Sequence, residues 1–161
     1  MKTLENWVVH KFGGTSVADA SRYRKVAEIL ATEPGARKAI VVSAMSGVTD
    51  RLIQCADLAK KQEDSYKARL EELKLKHLST LSELGVESLA PVIESDFANL
   101  ADLLRAIWLG KNYSEETLEL ISGHGEIWSA QILNAYLKTQ KGRLPESSWL
   151  DARQVLVVKP G

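Results

Sequence analysis

The sequence predicts an α/β fold, an open and mostly parallel sheet sandwiched by helices, with a helical hairpin inserted. Three observations predict it. Two short apolar runs end in small or glycine residues, which marks buried strands. A segment of helical periodicity joins them, so strand, helix and strand fall within about forty residues as a right-handed parallel unit. Long helix-periodic segments then fill most of what remains.

The first strand is expected over 6–12, "NWVVHKF", stopped by Gly13-Gly14. The helix after it carries Tyr23, Val26, Ala27, Ile29 and Leu30 at helical spacing and stops at Pro34-Gly35. The second strand is expected at Ala39 to Val42 within "KAIVVSAMSG". Residues 48–61 read as another helix, with Leu52, Ile53, Ala56 and Leu58 near one face.

The stretch 65–84 places Tyr66, Leu70, Leu73, His77, Leu81 and Leu84 three or four apart, and Gly85 ends it. After Pro91, Ile93, Phe97, Leu100, Leu104 and Ile107 repeat that spacing to Gly110. These two segments predict an antiparallel hairpin. A further long helix is expected from an N-cap at Ser114 to about Gln140, and a third strand over 147–152, "SSWLDA". The apolar run "VLVVKPG" at 155–161 ends in a turn signal that normally leads onward. The chain therefore reads as the first part of a longer polypeptide.

Composition excludes several classes. Twenty-one basic and twenty-one acidic residues cancel, so no global field would draw nucleic acid or an anionic membrane. No apolar run approaches the roughly 18 residues of a membrane span. The start carries Glu5 within only a short apolar stretch, unlike a signal peptide. One cysteine, Cys55, supports neither a disulfide framework nor a cysteine zinc site. A cytoplasmic protein is expected.

Three motifs carry chemistry. In "HKFGGTSV", Lys11, Gly13 and Gly14 lie at the carboxyl end of the first strand, where open α/β sheets bind ligands. Glycines let an anion approach backbone N–H groups, a helix start beyond them adds partial positive charge, and Lys11 adds a full one. A plain tight turn with Lys11 reaching to water fits the same residues. The spacing is neither a P-loop nor G-x-G-x-x-G.

In "VVSAMSGVTD", Ser43, Ser46, Gly47 and Thr49 leave the second strand at the same edge. Their hydroxyls suit a polar substrate or phosphate, or Ser46 or Thr49 caps the next helix. In "ISGHGEIWSA", Gly123 and Gly125 oppose a helix by about 2 kcal/mol relative to alanine. A close approach by a ligand or another backbone would account for them, as would a helix break. Glu126 beside them can accept hydrogen bonds from a substrate ammonium, and His124 can orient it or a hydroxyl. A structural pair near helix packing is the competing reading. A zinc deaminase shares His-x-Glu but needs a downstream Pro-Cys-x-x-Cys, which is missing. His10 and His77 read as surface or packing residues.

Taken in order, "KFGGTSV", "VVSAMSGVTD" and "GHGE" resemble the aspartokinase family of the amino-acid kinase (carbamate kinase-like) fold. The resemblance covers essentially all of 1–161, but only the N-terminal portion of the family's catalytic domain. "GHGEIWSA" and "WLDAR" look most like the bifunctional aspartokinase–homoserine dehydrogenases.

The resemblance implies ATP- and Mg2+-dependent phosphorylation of the β-carboxylate of L-aspartate, in lysine, threonine and methionine biosynthesis. By it, Lys11 looks like the lysine on the transferring phosphoryl group, with Gly13 and Gly14 near the phosphates. Ser43 looks like a nucleotide-site residue, and Thr49, His124 and Glu126 like residues of the aspartate site. The family's later Gly-Arg-Gly-Gly-Ser-Asp type segment, its nucleotide segment and its regulatory domains are absent from these residues. An inactive fragment and a homo-oligomer are therefore expected. A non-catalytic module of the same fold, or a kinase for another amino-acid carboxylate, remain alternatives.

Overall fold

A computed structural model describes residues 7–32, 37–142, 144 and 146–155. Its sheet has two strands, β1 (Trp7–Phe12) and β2 (Arg37–Val42), paired in parallel from Trp7 with Arg37 to Phe12 with Val42. Between them runs α1 (Ala20–Thr32), which buries Tyr23, Val26, Ala27 and Leu30 as its spacing predicts. The stop signal at Pro34-Gly35 lies outside the described residues.

The helices follow in order: α2 (Val48–Lys60), α3 (Ser65–Leu84), α4 (Ala90–Gly110), α5 (Glu115–Ser122) and α6 (His124–Thr139). Gly85 ends α3 in the left-handed region at φ 69°, and its N–H returns to the Leu81 and Ser82 carbonyls. Pro91 sits in the first turn of α4, where its missing N–H costs nothing. The expected hairpin is therefore α3 and α4, which pack on each other and on α2. One continuous core runs from Val17 through the hairpin's leucines to Leu137 of α6, and α6 also packs against β2.

Three expectations change. Both strands were expected to be buried, yet Trp7, Val9 and Val41 are 60%, 69% and 51% exposed. Only the face bearing Phe12, Ile40 and Val42 packs on the helical core, because no described element covers the other. The single helix expected over 114–140 is two helices broken at Gly123. Ser114 does cap the first of them, its hydroxyl accepting the Thr117 N–H at 3.2 Å.

The third correction concerns 147–152, which contain no strand. Asp151 there accepts the Arg153 N–H at 3.0 Å and forms a short ion pair with its guanidinium, starting a 3-10 turn at Ala152–Gln154. A side chain bonding its own backbone this way competes with a sheet ladder, and no described strand lies beside it. The run at 156–161 lies outside the described residues. No helix among the described residues is long and apolar enough to cross a membrane.

Candidate active site

Because β1 and β2 are parallel, both motif-bearing turns leave the same edge of the sheet. The Ser43 N–H donates to the Phe12 carbonyl at 3.0 Å, carrying the pairing one step past the strands. Gly13 and Gly14 then differ sharply. A Cβ on Gly13 would meet nothing within 4 Å, whereas one on Gly14 would lie 2.8 Å from the Ala44 carbonyl oxygen. Gly14 is therefore a packing glycine and Gly13 faces open space. Lys11 is exposed, paired in register with Val41, with no hydrogen bond or ion pair among the described residues.

The helix that follows the glycines starts at Ala20, one turn further on. Residues Gly14–Val17 form one 3-10 turn, with the Ser16 N–H on the Gly13 carbonyl at 2.9 Å. The N-terminal end of α1 comes later and is already occupied: the Asp19 carboxylate accepts the Arg22 N–H at 2.9 Å. The positive charge nearest this turn is that of Lys11 and the backbone amides, with the α1 N-terminus beyond the 3-10 turn.

In the β2–α2 turn, Gly47 is the N-cap of α2 at φ 75°, a conformation open to glycine at no steric cost. No side chain caps that helix, so the capping role considered for Ser46 and Thr49 is excluded. Thr49 sits half-buried in the first turn of α2. Lys76 of α3, which the sequence did not single out, donates to the Ser46 carbonyl at 3.0 Å. Partial burial, more than the nearby Arg51, holds its ammonium pKa below the usual lysine range, and Asp19 opposes this. Nothing in the local sequence marks a contact that spans thirty positions.

The glycines of "ISGHGE" do two separate jobs. Gly123 is the break, its N–H on the Glu119 carbonyl at 2.9 Å. Gly125 is the close approach: a Cβ there would lie 2.6 Å from the Ala44 Cβ and 3.2 Å from Val48. Ala44 is thus gripped by Gly14 from one motif and Gly125 from another, so all three motifs meet at one alanine. His124 places Nδ1 2.7 Å from the Leu120 carbonyl. A carbonyl only accepts, so that nitrogen carries the proton and Nε2 is the position left to bond a hydroxyl or carboxylate. Glu126 is half-buried without a hydrogen-bond partner among the described residues.

The structure brings Gly14, Ser43, Ala44 and Gly125 into one cluster. No hydrogen bond joins Lys11, Thr49, His124 or Glu126 to one another among the described residues. A groove of about 480 Å3 between α3 and α4, lined by Tyr66, Leu70, Phe97 and Arg105, shares no residue with this cluster. The strand-end position, open backbone at Gly13, a free-standing lysine and a recessed carboxylate suit a small zwitterionic substrate beside a phosphate.

Comparison with known proteins decides the family. The model of the amino acid kinase family matches residues 6–158. The chain belongs to the amino acid kinase family. Within that family it is 42% identical over 158 residues to a bifunctional aspartokinase/homoserine dehydrogenase of Zea mays, a chloroplastic protein. That match takes in 96% of this chain and 17% of the relative, so the chain spans about a sixth of its length.

Among solved structures, Escherichia coli aspartokinase III with lysine and aspartate matches at TM-score 0.75 and 26% identity, over 84% of this chain and 29% of that one. The same enzyme with aspartate and ADP matches at TM-score 0.74 and 28% identity, over the same shares. The expected resemblance to aspartokinases and the expected amino-acid kinase fold both hold.

Proposed function

We propose that this chain is the N-terminal portion of an aspartate kinase catalytic domain, and that the whole protein transfers the γ-phosphoryl group of ATP to the β-carboxylate of L-aspartate. The observation that carries the reading is the convergence on Ala44. Gly14 and Gly125 each leave no room for a Cβ beside it, which sets the lysine-glycine turn, the hydroxyl-rich turn and the Glu126 turn around one strand end. The aspartokinase structures with bound aspartate and with ADP give the substrate class its support.

In this reading a β-carboxylate oxygen of aspartate attacks the γ-phosphorus, and the bond to the leaving ADP oxygen breaks. Aspartate is its own nucleophile, so the protein supplies position and charge. Lys11 would offset charge on the phosphoryl oxygens, with Gly13 amides and Ser43 beside them. Glu126 would accept hydrogen bonds from the aspartate ammonium, with His124 Nε2 and Thr49 as polar neighbours. Mg2+ would accompany ATP. The described residues hold no cluster of three or more His, Cys, Asp or Glu side chains, so none is assigned to the metal and no step runs through it.

The exposed apolar face of β1 and β2, and a match limited to about a sixth of a relative, favour a chain that continues beyond these residues. The exposed face favours a homo-oligomer as well, and the partial match favours no activity from the 161 residues alone; a cytoplasmic location is proposed from the sequence only. Biosynthesis of lysine, threonine and methionine is the corresponding pathway.

Aspartate-dependent ADP release by the complete polypeptide tests the activity. Replacement of Glu126 by Gln should raise KM for aspartate roughly tenfold or more, because a buried cation then loses its charged partner. An unchanged KM would remove Glu126 from the ammonium site, and turnover of an N-acylated amino acid in place of aspartate would overturn the substrate.

A further inference from the structure

Trp128 lies one turn beyond His124 on α6 and is fully buried. Its indole stacks on Phe97 of α4 with centroids 4.3 Å apart and planes 20° from parallel. His77 of α3 meets it edge-on at 4.8 Å, and His124 tilts against it at 5.5 Å. Its Nε1–H donates to a carboxylate oxygen of Asp96 at 3.0 Å. Four rings from three helices therefore meet directly behind the turn that carries Glu126.

An aliphatic side chain would fill that space without fixing an orientation. A buried indole N–H needs an acceptor, and a carboxylate acceptor makes the bond both stronger and directional. On the same face of α6, one turn earlier, Gly125 is pressed onto Ala44 and Val48. A helix face held at two successive points, by close packing and by a directional bond, resists rolling about its axis. Glu126 follows Gly125 directly, on the side of the helix away from Trp128.

We infer that Trp128 and Asp96 are positioning residues for the first turn of α6, and that through them the α3–α4 hairpin aims Glu126 at the substrate ammonium. This rests on the role given to Glu126 above. Among the described residues no hydrogen bond or ring contact joins either residue to the Lys11 turn, so their effect falls on aspartate and spares the nucleotide. The histidines of the cluster hold their rings independently: His77 places Nδ1 2.7 Å from the Leu73 carbonyl, as His124 does with Leu120.

The test uses the complete polypeptide with Asp96→Ala, Asp96→Asn and Trp128→Phe. L-aspartate and ATP are titrated separately by calorimetry, and amide exchange is followed at residues 124–128. Asp96→Ala should speed that exchange and weaken aspartate roughly tenfold, while ATP stays within about twofold, the scale on which a small misplacement of a recognition group acts. Asp96→Asn keeps an accepting oxygen and should restore aspartate binding.

Equal losses for both ligands, or faster exchange with unchanged aspartate affinity, would overturn the positioning role. If Asp96→Ala does not fold, Trp128→Phe carries the same comparison, since it keeps a ring to stack on Phe97 and loses the donor along with part of the indole's bulk. Wild-type protein that binds ATP but no aspartate would instead sink the role of Glu126, before any variant is made. Exchange at 124–128 would then still decide the anchoring: faster in Asp96→Ala supports it, unchanged overturns it.

Discussion

The α3–α4 hairpin and the strand-end cluster are held together by opposite means. In the hairpin, Leu73, Leu81, Ile93, Leu100 and Leu104 are almost wholly buried and fill space with side-chain bulk. At the strand ends the close contacts come from missing bulk, with Gly14 and Gly125 closing on Ala44, while the sheet's outer face keeps Trp7, Val9 and Val41 exposed. Bulk gives stability and absence of bulk gives proximity. The two regions should accordingly fail in different ways when they are mutated.

The largest effect on stability belongs to the hairpin. Phe97→Ala removes the ring on which Trp128 stacks and should cost about 3–5 kcal/mol in urea unfolding, as large-to-small aromatic changes do. A loss under 1 kcal/mol would mean that the aromatic cluster is loosely packed. Lys11→Ala should show the converse. Its side chain is exposed, so unfolding should not change, but kcat of the complete enzyme should fall about 100-fold, roughly 3 kcal/mol of transition-state stabilisation. Near-normal turnover would remove Lys11 from the phosphoryl site.

His77 gives the hairpin a pH dependence of its own. Burial holds its imidazole pKa down at about 4 against an ordinary 6.5, with a smaller push from Lys76, while its bond to the Leu73 carbonyl works the other way. Between those values the unfolded chain binds a proton that the native chain does not. The stability from neutral His77 is therefore complete above about pH 6.5 and is lost as pH falls toward 4, by about 2 kcal/mol between pH 7 and pH 5. Urea unfolding at both pH values should show this slope, and His77→Gln should flatten it. An equal slope in the variant would assign it to other groups.

Neighbouring glycines sharpen the contrast within the cluster. Gly14→Ala sets a Cβ against the Ala44 carbonyl and should cost about 1–3 kcal/mol by overpacking. Gly13→Ala meets open space at φ −73°, so unfolding should move by less than about 0.5 kcal/mol. Any loss of kcat in that second variant would then report directly on phosphate approach.

Legibility in the sequence follows the same division. The hairpin was readable because its contacts repeat every three or four residues within one helix, and the glycine and proline signals at Pro91 and Gly85 are local. The odd glycines at 123 and 125 announced a break or a close approach, and each supplies one of the two. Outside local periodicity the reading failed. Strand burial depends on what covers the second face, which β1 and β2 do not encode. The strand expected at 147–152 missed the bond Asp151 accepts from the Arg153 N–H two residues on. The Trp128–Asp96 bond and the Lys76–Ser46 bond each link residues some thirty positions apart, where no pattern marks them. The three motifs were legible in the sequence, but their meeting point at Ala44 was not.

The seat of Gly125 on Ala44 also sets a timetable for synthesis. Ala44 leaves the ribosome well before its second partner, which follows roughly eighty residues later, a delay of roughly 4–16 s at ordinary elongation rates. During that interval α2, α3 and α4 can emerge and fold on one another through contacts that are near in sequence. The strand-end cluster has to wait. The hairpin would stand first on the nascent chain, and the strand ends would close only when the first turn of α6 arrives to fill the notch beside Ala44.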